Sequence, residues 1–245
     1  YRVGVGVPVN TGITDAGTWV DIPGKGRIWR LMIKVENAKA LGVYFNELYL
    51  PNESELFLYN YDKTQIIGAY TEVNNHESKL FATELIEGDI VSLEYFEPLY
   101  CKEKALINIS EVSYVYRGYT SYKEKDYGDS DYCLININCS EGANWQNQKR
   151  GVARIFLKHG SNYGWCSGTL VNNVKQNCTP YFLTADHCGE GSTASDRNQW
   201  IFYFNYESSG CTNPSTEPSS NTMTGCTLKA NGGNGGDSGS DFFLV

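Results

Sequence analysis

Two strand-like segments in the second half of the chain each carry a cysteine, and the later one ends in a histidine. Cys166-Ser167-Gly168-Thr169-Leu170 is followed, after a short interval, by Tyr181-Phe182-Leu183-Thr184-Ala185-Asp186-His187-Cys188. Together they describe a short disulfide loop that holds one histidine at a strand end. That is a frame for a general base, because an imidazole takes the proton of a serine hydroxyl only when a carboxylate fixes its orientation. His187 is the candidate base.

The chain has eight cysteines, at 101, 133, 139, 166, 178, 188, 211 and 226, and three histidines. None of the cysteines forms a C-x-x-C pair, so a metal site has little support and no metal or cofactor is expected. Disulfides in an oxidising compartment, in an exported or cell-surface protein, are the reading that remains. The net charge is −8 with no block of lysine or arginine, which excludes the electrostatic footprint of a nucleic-acid or anionic-lipid binder. No apolar run approaches the roughly 18 residues of a membrane helix, and Tyr1-Arg2-Val3-Gly4 lacks a signal-peptide profile, so any export signal is expected to have been removed.

Residues 1–117 read as strands throughout. Trp29, Leu31, Ile33 and Val35 alternate with Arg30, Met32 and Lys34, and Val91, Leu93 and Tyr95 alternate with Ser92 and Glu94, the period-two signature of half-buried strands. Turns fall at 10–17, 23–26, 51–52 and 87–89, and together these predict an all-β, jelly-roll-like β-sandwich. His76 reads as a solvated loop residue, and the tyrosines at 114, 116, 119 and 122 as sheet packing. Residues 118–131 are a polar linker, and 132–245 form the second domain.

The histidine segment, with its flanking cysteines, resembles chymotrypsin-fold serine proteases. Gly236-Asp237-Ser238-Gly239-Ser240 looks like the nucleophile loop of that fold, yet only Gly239 to Val245 follow Ser238, too little for the pocket-forming strands that come after a nucleophile. Ser238 is therefore read as a decoy. Thr227-Leu228-Lys229-Ala230 and Ser240-Asp241-Phe242-Phe243-Leu244-Val245 are similar to segments of lysyl-endopeptidase-like proteases, a secreted bacterial branch of the fold in which the aspartate of S-D-F orients the histidine. The resemblance thus implies Asp241 as the triad carboxylate, with the serine and the second barrel beyond Val245. Cys133, Cys139, Trp145-Gln146, Lys149-Arg150-Gly151-Val152-Ala153 and Trp200 to Tyr206 with Cys211 follow the same branch in order.

By that family pattern Cys166 pairs with Cys188 and Cys139 with Cys211, leaving Cys178 and Cys226 for each other. Cys133 is free, paired with Cys101, or bonded to a cysteine outside the chain. In the first half, Gly17-Thr18-Trp19, Ile28-Trp29-Arg30-Leu31, Leu56 to Asn60, Ile67 to Tyr70 and Leu93 to Pro98 are similar to the pro-domain in front of trypsin-like proteases of Bacteroidetes. Lys123 and Lys125 then mark an activation region that would free a mature start near Gly128. The expected function is a secreted serine endopeptidase precursor acting on polypeptides, inactive as these 245 residues alone. The alternative is a non-catalytic binding module built on a protease-derived half-barrel. On either reading, Phe242 to Val245 is expected to leave an apolar barrel edge for a further segment or another protein to cover.

Overall fold

The alternation around Trp29 becomes a strand with two different faces. In the computed structural model, which describes residues 2–117, 133–213, 217–233 and 239–245, Trp29 and Ile33 are buried while Arg30, Met32 and Lys34 are exposed. Lys123, Lys125, Gly128 and Ser238 lie outside the described residues. The chain is all-β, with two short α-helices among the described residues. It divides into two compact units, Gly4–Tyr116 and Tyr1–Val3 with Arg117–Val245. No helix among the described residues is long and apolar enough to cross a membrane.

The first unit is built from β1 (Arg2–Gly12), β2 (Thr18–Ile22), β3 (Gly26–Lys34), β4 (Ala40–Tyr49), β5 (Glu55–Asn60), β6 (Ile66–Tyr70), β7 (Phe81–Ala82), β8 (Ile86–Glu87), β9 (Ile90–Pro98) and β10 (Leu106–Val115). One antiparallel sheet runs β2-β3-β9-β5-β6; the other runs β1-β10-β4-β7, with β8 also on β4. Trp29, Leu58, Leu93 and Tyr95 from the first sheet meet Leu41, Val43, Phe45, Ile107 and Val112 from the second in one core, which makes the unit a sandwich. Across β3 and β9, Trp29 faces Tyr95 and Ile33 faces Val91, while Arg30 bonds Glu94 at 2.7 Å on the opposite face. Gly17, at φ +82°, lets the turn press against Trp29, whose indole N–H donates to the Ala16 carbonyl at 2.8 Å. A Cβ at Gly17 would lie 2.3 Å from that nitrogen.

The second unit follows as β11 (Val152–His159), β12 (Asn162–Val171), β13 (Tyr181–Thr184), α1 (Asp186–Gly189), α2 (Ala194–Arg197), β14 (Ile201–Phe204), β15 (Asn221–Thr224), β16 (Ala230–Asn231) and β17 (Phe243–Leu244). Antiparallel pairing gives the order β15-β14-β11-β12-β13-β17-β16. Trp200, just before β14, and Phe243, on β17, belong to strands far apart in that order, yet their rings are 5.8 Å apart. A flat sheet cannot bring them together, so this one curls around a shared core of Ile155, Leu157, Phe182, Trp200, Phe202, Phe243 and Val245. Each large apolar side chain buried there stabilises the curl by about 1.5–3 kcal/mol.

The exposed apolar edge expected at 242–245 is not found. Phe243 and Val245 are buried, β17 is paired on both sides, and Val245 exchanges backbone hydrogen bonds with Phe182 at 2.9 and 3.0 Å. Phe243 is drawn inward because it fills the space between Trp200 and α1.

Candidate active site

Strand β13 delivers the chain to α1, a single helical turn whose second residue is His187. Such a turn is too short to hold itself, since its first N–H groups and last carbonyls have no partner within it. The supports come from elsewhere. Cys188 is bonded to Cys166 on β12, Asn231 on β16 donates to the buried Asp186 carboxylate at 3.0 Å, and Gly189 lies flush on Phe243, where an added Cβ would sit 2.5 Å from the ring.

The fourth support is Asp241. One carboxylate oxygen accepts the backbone N–H of His187 at 3.0 Å, and the two oxygens lie 3.1 and 2.9 Å from His187 Nδ1. Asp241 has φ 44°, a left-handed conformation that aspartate tolerates better than most residues. The backbone N–H of His187 is the main reason its carboxyl is held below the ordinary aspartate range, with the imidazole contributing next among the favourable contacts and partial desolvation opposing both.

A carboxylate only accepts, so Nδ1 of His187 carries the proton and Nε2 of the neutral ring keeps its lone pair. The His187 side chain is 60% exposed. The arrangement presents a basic nitrogen to whatever approaches, with the tautomer fixed from behind. Cys166, His187 and Cys188 also gather within 4.8 Å, but both sulfurs are joined in the disulfide and offer no thiolate to a metal.

A separate groove of about 380 Å³ is lined by Trp145, Lys149, Arg154, Tyr203, Tyr206 and Glu207 among others; His187 and Asp241 do not line it. Arg154 fills part of its wall, stacked 3.6 Å from the Trp165 ring centroid and donating to the Tyr206 hydroxyl at 2.6 Å.

Of the implied disulfides, Cys139–Cys211 and Cys166–Cys188 are formed. Cys178–Cys226 and Cys101–Cys133 are not, and all four of these thiols are free. Cys178 is exposed in the connection between β12 and β13, whereas Cys226 is half-buried with its thiol on the Arg197 carbonyl at 3.7 Å. Cys101 instead donates to the Glu103 carbonyl at 3.3 Å. Pairing by elimination fails here because a leftover cysteine has no need of a partner.

His159 went unnoticed in the sequence. It ends β11, and its Nε2 lies 2.9 Å from the Cys188 carbonyl oxygen. No local pattern marks it, since the contact joins residues 29 apart.

An all-β unit carrying a histidine–aspartate pair at a strand end defines the class of protein that this fold and site resemble. Residues 127–245 match the family model described as the lysyl endopeptidase C-terminal domain, and over that span the chain is lysyl-endopeptidase-like. A curated lysyl endopeptidase of Pseudomonas aeruginosa is 25% identical over 219 residues, which cover 83% of this chain and 46% of the relative. That share of the chain exceeds what residues 127–245 can supply, so the similarity reaches into the N-terminal unit. The chain spans about half the length of the relative.

Proposed function

We propose that the chain is the front portion of a serine endopeptidase precursor. In this reading Gly4–Tyr116 is a pro-domain, and the second unit supplies the first barrel of a chymotrypsin-like protease domain. His187 is the general base and Asp241 its orienting carboxylate, with the nucleophilic serine in a part of the protein outside these 245 residues. The reading is carried by one observation, the contact of Asp241 with both the ring and the backbone N–H of His187.

During acylation, Nε2 of His187 takes the serine proton as the oxygen attacks the peptide carbonyl, and the imidazolium then gives that proton to the leaving amine. Asp241 keeps the proton on Nδ1 and stabilises the transient positive charge. The family match begins at residue 127, beside Gly128, which supports release of a mature start there after cleavage at Lys123 or Lys125. The two disulfides fit an exported protein, and the relative's name supports a polypeptide substrate cut at lysine.

The test is hydrolysis of a lysine amide substrate by the full-length protein after activation. Asp241→Asn should lower kcat about 10⁴-fold, because an amide stabilises the wrong tautomer. Ser238→Ala should leave the rate unchanged; its loss of activity would make Ser238 the nucleophile and overturn the assignment.

A further inference from the structure

We infer that His159 is a positioning residue for His187, acting through the Cys188 carbonyl. The inference rests on His187 being the general base. Its chemistry is local. Cys188 lies next to His187 on a helix of four residues, so its carbonyl is among those the turn leaves without a helical donor. A carbonyl only accepts, which requires Nε2 of His159 to carry the hydrogen across the 2.9 Å contact. The two histidines are therefore held in opposite tautomers, His187 as Nδ1–H and His159 as Nε2–H.

The hairpin that presents His159 is itself clamped. Trp200, fully buried, donates its indole N–H to the Lys158 carbonyl at 3.0 Å, and the Gly160 N–H donates to Asp196 at 3.1 Å. Lys158 Nζ closes the turn on the Gly160 carbonyl at 2.9 Å. Asp196 is fixed in turn by a capping box, accepting from the Thr193 N–H at 2.9 Å and its hydroxyl at 2.8 Å. His159 thus reaches α1 from a rigid base, on a residue different from those held by Asp241 and Asn231. Three anchors of different chemistry hold α1 through consecutive residues, Asn231 on Asp186, Asp241 on His187 and His159 on Cys188.

The test uses the activated full-length protein with His159→Phe, which keeps a ring beside Trp200 but has no N–H, and His159→Gln, whose amide can donate to the same carbonyl. In H159F, kcat on a lysine amide substrate should fall about tenfold to hundredfold with KM within about twofold, as expected when a reacting group is misplaced by up to about 1 Å. H159Q should recover most of that loss. The low-field Nδ1 proton resonance of His187 should broaden in H159F and sharpen again in H159Q. If H159F fails to fold, His159→Asn, too short to reach Cys188, takes its place with the same expectations. An unchanged kcat and resonance, or a loss that H159Q does not relieve, would overturn the role of His159. A wild-type protein with no hydrolytic activity would instead overturn the protease reading, and the resonance alone would then decide the role of His159.

Discussion

Asp241 does two things for His187 with one carboxylate, and the two can be separated. Its contact with the backbone N–H shapes α1, while its contact with Nδ1 sets the tautomer. The amide introduced by Asp241→Asn would keep an acceptor for the first, and asparagine tolerates φ 44°, so D241N should fold, unlike a change to a β-branched residue. The folded-state carboxyl is shifted below its ordinary value, so its contribution to stability is present above about pH 4 and lost as pH falls through the folded pKa. Acid unfolding of D241N should lack that component, which urea titrations from pH 2 to pH 6 would read. The free thiols also separate at this scale. Burial pushes the Cys226 thiol up to about 12, so it should resist iodoacetamide at pH 8, while exposed Cys133 and Cys178 react. A peptide map that joins Cys178 to Cys226 would contradict both statements. His187 and Asp241 were legible because each sits in a local run of residues resembling a known family. His159 and the fate of Cys226 were not, since both depend on contacts that only the fold brings about.

At the scale of elements, α1 survives as one turn because other elements hold it. The Cys166–Cys188 bridge closes a separation of 22 residues and Cys139–Cys211 one of 72, worth about 3 and about 4 kcal/mol on a chain-entropy estimate. Replacing Cys166 and Cys188 together by alanine should therefore lower stability by roughly 3 kcal/mol, measured by denaturant unfolding. Gly189→Ala is the sharper probe of packing: its methyl would meet the Phe243 ring at 2.5 Å, and overpacking of this kind costs about 1–3 kcal/mol. An unchanged midpoint would mean that α1 does not rest on β17. The strands of the sandwich could be read from alternation, because Trp29, Ile33, Val91 and Tyr95 repeat at period two on one face. The pairing of β17 on both sides could not, because Phe242 to Val245 is equally apolar whether it lies at an edge or inside the sheet.

For the whole molecule, the two units carry different burdens. The sandwich closes over an apolar core, whereas the second unit places titratable groups against its core. Lys158 is the clearest case: burial lowers its pKa to about 8, against about 10.4 in an unfolded chain. Between those values the unfolded chain keeps a proton that the folded one has released, so stability rises with pH across that window, and Lys158→Met should flatten the rise. The central claim is that His187 and Asp241 serve a serine that these 245 residues do not contain. Fluorophosphonate labelling followed by intact and peptide mass measurement tests it most directly, on the full-length protein, its His187→Ala variant and the 245-residue chain. The account predicts one adduct per full-length molecule on a serine outside this chain, none in H187A, and none on the 245 residues alone. An adduct on Ser238, or a full-length protein that takes up no probe, would contradict it.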